Sequence, residues 1–351
     1  MGARPSPATA APAAEADARS REEEATQFGD GVGVLTLPPA SGVASWRAVE
    51  TTGEAPCART GHAMALLRTP SSALVVVVGG CSASSGFLCD VHLLCTESWR
   101  WIQLEAPAGQ RLFSPRDKQS AVAFGSRLLL WGGFGPGAEA VPGGAEGEAE
   151  EEGADEEEGE EEEEEAASFT WFSELHALER DSDGAWRLNA LEATGEAPTA
   201  RAAHAAAAVG GRMFVFGGRD AGGRTGDTWS LDTSSLCWRR EAADAPAPAP
   251  RSFHALLPLP PPHQGAVCFG GVGADGALLD CVALLDCRAA LPVWRSVKER
   301  AGEWPAPRSR MAAAMLGSRL VLLGGAGADE RPCDDAVLDL GEALRALQAA
   351  A

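Results

Sequence analysis

Arginine recurs more regularly than any other reactive residue type in this sequence. Arg59, Arg116, Arg201, Arg251 and Arg308 each follow a Pro/Ala-rich turn, and His62, His204 and His254 stand three residues after theirs. A guanidinium is a permanently charged, planar fork of donors suited to carboxylates. A histidine that returns at one offset from a repeat landmark reads as a structural hydrogen-bonding group. Two further arginines, Arg219 and Arg224, flank a Gly-rich turn in RDAGGR, which the other copies do not share. Thiol chemistry is weakly supported: nine cysteines, an odd number without a C-x-x-C spacing, fit neither a disulfide framework nor a zinc site. They are expected to be reduced, buried thiols. The chain holds no tyrosine, which removes phenol-based chemistry.

These residues are positioned by a repeat. Glycine pairs begin at 79, 132, 217, 270 and 324, at intervals of 53, 85, 53 and 54 residues. The long interval exceeds its neighbours by about 32, close to the span of the Gly/Glu-rich stretch 138–168, which reads as a disordered acidic loop inserted into one unit. Residues 146–165 hold 14 Glu and one Asp, so most of the net charge of −21 belongs to that loop. Trp46, Trp99, Trp186, Trp238 and Trp294 mark the same period.

Each unit then reads as four strands. A small-residue strand (HAMALL, QSAVAF, HAAAAV, HALLPL, MAAAML) follows the arginine. A β-branched and aromatic strand (ALVVVV, RLLLW, RMFVF, GAVCF, RLVLL) runs into Gly-Gly, and its unbroken apolar character predicts burial on both faces. The third strand opens near an acidic residue (DVHLL, ELHAL, DTWSL, DCVALL, DAVLDL), and the fourth centres on the tryptophan. A unit of about 50 residues built this way is one blade of a propeller. Residues 1–28, Ala/Pro-rich and then acidic, lack the apolar surface to fold and are expected to be disordered. Val32 to Leu37 and Trp46 to Val49 read as two strands of an incomplete unit. No window approaches the ~18 consecutive apolar residues of a membrane span, and no signal-peptide core is seen. A cytoplasmic or nuclear location without membrane association is therefore expected. The acidic loop disfavours nucleic acid as a partner, because its charge repels phosphates.

The Gly-Gly, spacer and tryptophan pattern resembles the kelch repeat over residues 31–340. The resemblance implies an all-β kelch β-propeller with five full repeats, of the six-bladed type with an incomplete first blade. The alternative is a five-bladed ring closed by the N-terminal strand. Where kelch blades carry a tyrosine, Leu94, His176, Ser230 and Leu284 stand at or next to the position. Two enzyme classes on this fold are disfavoured. Copper radical oxidases need ligating tyrosines, and the E-x-x-x-D-x-x-x-H iron site of specifier proteins is absent. No enzyme, cofactor or metal is expected.

A narrower resemblance rests on GEAPTARAAHAAAAVGGRMFVFGGR, the RDK of residues 116–118, and the insertion after Gly132-Gly133 with its following W-x-x-x-L-H. It is to the kelch-domain substrate receptors of cullin-RING ubiquitin ligases, which capture protein C-termini ending in Gly-Gly. It implies that Arg219, Arg224 and Ser252 hold a terminal carboxylate, with Lys118, Phe134, Trp171, Phe253 and Arg310 contacting the peptide. Phe134 and Phe253 replace a Tyr and a Trp of that family, and Arg310 replaces an aromatic. The implied partners are Gly-Gly-ended peptides and elongin/cullin components. Residues 341–351 form one short amphipathic segment, too short for the family's adaptor-recruiting box. The other reading is a generic kelch scaffold, similar to the Rab-effector type, that binds a folded partner through its loops.

Overall fold

The structure is a computed structural model and describes residues 31–36, 45–137, 168–241, 247–297, 304–329 and 331–349. The expected disorder of residues 1–28 lies outside the described residues, as does the acidic insertion up to residue 167.

The described chain is all-β apart from one helix, in a five-bladed propeller arrangement. Blade one consists of Ala63–Arg68, Ala73–Ser82, Gly86–Cys95 and Arg100–Gln103. Blade two has Ser120–Phe124, Arg127–Trp131, Leu175–Arg180 and Trp186–Leu191. Blade three has Ala205–Val209, Arg212–Phe216, Thr228–Asp232 and Cys237–Arg240, and blade four has Ala255–Pro258, Gly265–Phe269, Val282–Asp286 and Val293–Ser296. In blade five, Ala312–Leu316, Arg319–Leu323 and Ala336–Asp339 are followed by helix α1, Gly341–Ala349. All pairings within these blades are antiparallel meanders.

In blades two, three and four the second strand is apolar throughout because it is buried on both faces, sandwiched between neighbouring blades. Leu67, Val76, Val78 and Leu93 of blade one pack on Leu128, Leu130 and Leu178 of blade two. Trp131, Leu175 and Val122 meet Met213, Trp229 and Trp238 across the next interface. Phe214 and Phe216 meet Leu256, Cys268 and Trp294, and Phe269 and Leu284 meet Leu320 and Leu322. Helix α1 seats Leu344 and Leu347 in this last cluster.

The glycine pairs stitch one blade to the next. The second glycine donates to the carbonyl of the following blade's turn arginine: Gly80 to Arg116 at 2.9 Å, Gly133 to Arg201 at 2.9 Å, Gly218 to Arg251 at 2.8 Å and Gly271 to Arg308 at 2.9 Å. A Cβ on Gly217 would stand 2.6 Å from the Arg251 carbonyl oxygen, and φ there is +63°, so glycine is required.

Three expectations are corrected. Trp99 lies in a turn at φ 54°, and Trp101 takes the strand position opposite Leu94. Leu188, opposite Leu178, takes the same place in blade two, while Trp186 is two residues out of register. The thiols are not uniformly buried: Cys268 and Cys287 are, Cys57 and Cys237 are exposed. Of the two ring readings, the alternative closure by the N-terminal strand is not formed, since Trp46 to Val49 does not pair with blade five. Strand β1 (Val32–Thr36) pairs with β2 (Ser45–Val49), with Leu35 opposite Trp46 as Leu94 is opposite Trp101.

Candidate functional site

The turn arginines are structural. Arg201 is buried and pairs with Asp227 at 2.6 Å, Arg59 with Asp90 at 2.5 Å, and Arg116 with Glu174. Each of the five also donates to the carbonyl of its own blade's first glycine, at 3.0–3.2 Å. Burial alone would raise the Asp90 carboxyl, but hydrogen bonds from His92 and Arg59 outweigh it and lower its pKa. His204 and His254 are buried behind these arginines, and desolvation with the nearby guanidinium pushes each pKa down to about 3. Both are neutral at physiological pH and belong to the blade interior.

Two residues beyond each turn arginine the backbone turns left-handed: Gly61, Lys118, Ala203, Phe253 and Arg310 have φ between 52° and 65°. Non-glycine residues pay strain there, and such residues cluster at binding sites. Each stands just before the innermost strand of its blade. Their amides form a girdle from blade to blade: Lys118 donates to Gly61 at 2.7 Å, Ala203 to Lys118 at 2.9 Å, Phe253 to Ala203 at 2.9 Å and Arg310 to Phe253 at 3.1 Å. The residue following each Gly-Gly bridges to the residue before the girdle position, as Phe134 does to Asp117 and Arg219 to Ala202. Side chains far apart in sequence are thereby brought to one end of the ring.

Arg219 and Arg224 are register partners in a two-residue hairpin projecting from blade three. Arg224 donates from Nε to Ser252 Oγ of blade four at 3.0 Å. Ser252 is fully buried beneath that guanidinium, so it orients Arg224 and presents no hydroxyl to solvent. Arg310 lies over the Phe253 ring at 4.8 Å, a cation–π contact that holds both side chains. Among the described residues, no carboxylate lies within ion-pairing distance of Arg219, Arg224 or Arg310.

The neighbouring blades supply an aromatic cluster. Phe134 and Trp171 are register partners, 5.1 Å apart between ring centroids, at the base of the acidic insertion. Phe169 stacks on Phe134 at 5.8 Å, and Phe87 of blade one completes the group. Lys118 pairs with the buried Asp117, whose carboxyl burial pushes up although Lys118 opposes the shift. Sequence reading missed Phe87 and Phe169, which occupy no shared repeat position. It also missed the girdle itself, because nothing in the types Lys, Ala, Phe and Arg announces φ > 0. No group of His, Cys, Asp and Glu suited to holding a metal occurs among the described residues.

The arrangement is a basic, partly apolar mouth that suits an anionic, extended ligand. The KLHDC2/KLHL20/DRC7 Kelch-repeats domain family profile matches residues 41–142 and 159–325. The Arabidopsis thaliana acyl-CoA-binding domain-containing protein 4 is 23% identical over 84% of this chain and 39% of its own length. The Bos taurus Kelch domain-containing protein 2 is 39% identical over 23% of this chain and 20% of its length. The Homo sapiens Kelch domain-containing protein 1 is 26% identical over 51% of this chain and 41% of its length. The chain thus spans well under two thirds of these relatives.

Proposed function

Because the chain belongs to the KLHDC2/KLHL20/DRC7 Kelch-repeats domain family, a family of protein-interaction propellers, we propose that its mouth captures the C-terminal carboxylate of a peptide ending in Gly-Gly. The observation that carries this reading is the contrast between two sets of arginines. Arg59, Arg116 and Arg201 are neutralised by acids from their own blades. Arg219 and Arg224 face each other across a hairpin and have no acid partner among the described residues, in a chain of net charge −21.

The chemistry is that of charge-assisted hydrogen bonding. A carboxylate has two oxygens and about four acceptor directions, and guanidinium groups meet it bidentately. Arg224, locked by Ser252, is preorganised for one oxygen, which reduces the ordering cost of binding. Arg219, exposed and in register with it, supplies the second grip. A Gly-Gly end suits the site because residues without a Cβ let the ligand backbone approach closely. Upstream peptide residues would pass Phe253 and Arg310 on one side and Phe134, Trp171 and Lys118 on the other.

In this reading the protein is the substrate-recognition part of a ubiquitin ligase, with elongin and cullin components as partners. The test is the affinity of a peptide ending in Gly-Gly beside the same peptide amidated. Capture predicts at least tenfold weaker binding of the amide, and equal affinity would discard it. Co-purification with the elongin adaptor tests the ligase step separately.

A further inference from the structure

One fixed place in the blades holds an acid in blades one, two, three and five, and a thiol in blade four. It is the residue that faces the first glycine of each pair, immediately before the third strand. Glu174, Asp227 and Cys281 accept on their carbonyls the amides of Gly132, Gly217 and Gly270, at 3.2–3.4 Å. Asp90 and Asp334 take the same place, since Val78 faces Val91 and Leu322 faces Ala336. The acid of blade four, Asp280, stands one residue earlier, and its carbonyl accepts from the Trp304 indole at 2.7 Å.

The place serves to neutralise a buried charge. Asp90, Glu174 and Asp227 pair with Arg59, Arg116 and Arg201. Arg251 is as deeply buried as Arg201, yet no carboxylate among the described residues pairs with it. Its Nε donates to the Ala249 carbonyl at 3.0 Å, and its Nη1 to the Gly270 carbonyl at 3.0 Å and to Cys281 Sγ at 3.1 Å. In Arg59 and Arg201 the other arm of the fork, Nη2, closes on the second carboxylate oxygen. A thiol offers one atom in place of two. A buried guanidinium without a counter-ion is costly, so an anion formed at this sulfur would be held strongly.

The neighbouring thiols show why Cys281 is the one concerned. It is only partly buried, so small reagents reach it, and oxidants select cysteines in electropositive, partly exposed surroundings. Cys268 also faces Arg251 but is fully buried, and desolvation pushes its pKa up to about 12 although the guanidinium opposes the shift. Cys57 is exposed and lies 3.4 Å from Arg59 Nη2, but Arg59 already holds Asp90.

We propose that Cys281 is a modification site for hydrogen peroxide, whose product, the sulfinate, fills the carboxylate place beside Arg251. In the first step the sulfur attacks one peroxide oxygen: an S–O bond forms, the O–O bond breaks and sulfur gives up two electrons. The second oxygen leaves as water with the thiol proton, and a sulfenic acid remains. A second peroxide repeats the exchange to give the sulfinic acid and another water, and the acidic proton passes to solvent. The anion carries two oxygens on the atom bonded to Cβ. It therefore has the reach of Asp227 in blade three and presents the same two-oxygen face to the fork.

The test treats the full chain with hydrogen peroxide at neutral pH and follows each cysteine by peptide mass spectrometry. Cys281 is expected to gain two oxygens at least threefold faster than the exposed Cys57 and Cys237, and a thiol reductant should not reverse the gain. The melting midpoint of the parent should rise on treatment. Cys281→Asp should show that rise without peroxide and gain no more from it, and Cys281→Ser should show neither. Oxidation of Cys57 or Cys237 as fast as that of Cys281 overturns the proposal, as does a Cys281→Asp protein that melts no higher than Cys281→Ser. A product reversed by thiol reductant also overturns it, since the sulfur would then have stopped at the sulfenic acid or formed a disulfide. None of these readouts uses the peptide site, so the failure of carboxylate capture leaves them unaffected.

Discussion

Arg224 Nε and Ser252 Oγ, 3.0 Å apart, join the hairpin of blade three to the turn of blade four. Neither residue's blade would fix that guanidinium alone. The hydrogen bond converts a solvated loop arginine into an oriented donor, and it makes Ser252 a positioning residue.

Replacing Arg224 by Ala should therefore weaken a Gly-Gly-ended peptide by ~10–100-fold, the equivalent of one hydrogen bond to a charged group at about 1.5–3 kcal/mol. Ser252→Ala should cost only a few-fold, and the double variant should be no worse than Arg224→Ala. Isothermal titration across this cycle measures the coupling. Additive losses would place Ser252 on the ligand directly.

Arg201 and Arg219 give opposite outcomes although both are arginines of blade three. Arg201→Met leaves the largely buried Asp227 carboxylate without its charged partner, with the Trp229 indole as its remaining side-chain donor, and the Gly217 carbonyl without the guanidinium. Breaking a buried pair from one side costs about 3–5 kcal/mol. Denaturant unfolding should show that loss, whereas Arg219→Ala on the exposed hairpin should stay within about 0.5 kcal/mol of the parent. Peptide affinity should reverse the order, falling for Arg219→Ala and holding for Arg201→Met under folding conditions.

The mouth is basic within an acidic protein, so binding should weaken as salt rises. The Debye length shrinks from about 10 Å at 0.1 M to about 3 Å at 1 M. Arg310→Glu places a carboxylate beside Phe253 and removes the cation–π contact. It should lower peptide affinity at low salt and flatten the salt dependence, which a titration series in sodium chloride reads out. An Arg310→Glu protein with the parental salt slope would remove Arg310 from the ligand's surroundings.

The fold was legible because its signals are periodic. Five glycine pairs and five turn arginines recur in one register, lengthened once by the acidic insertion, and four of the pairs make the same interblade contact, Gly217 and Gly218 against Arg251 being one case. The tryptophan series was only partly right, since Trp99 and Trp101 both fit an apolar pattern and only the pairing with Leu94 separates them. Arg219 and Arg224 stand out in the sequence because they depart from the repeat. Lys118, Phe253 and Arg310 were singled out by the resemblance alone, and neither their left-handed backbone nor the cross-blade contact between Phe87 and Phe169 has a signal in the residue types.

The buried histidines set an acid limit that is separate from binding. His204 and His254 have folded pKa values of about 3, below the unfolded value of about 6.5, so the unfolded chain binds the extra protons between those limits. Stability is then level above pH ~6.5 and falls as pH drops toward 3, by up to about 1.4 kcal/mol per pH unit for each histidine. Paired carboxylates such as Asp90, with pKa lowered from an ordinary 3.8, add their loss only at the acid end of that range. Denaturant unfolding at pH 7.5, 5.5 and 4.5 should show the decline. His254→Leu should reduce the slope between pH 6 and 4.5 whatever its effect at neutral pH, because one proton-linked group has gone, while His204 and the other histidines lowered by burial, His62 and His176, keep the remainder. Peptide affinity should stay flat from pH 8 to 5.5 in the same samples, since a terminal carboxylate with a pKa of about 3.5 and the arginines keep their charge throughout. A mouth that loses affinity over that interval would tie the histidines to the ligand and not to the blade interior.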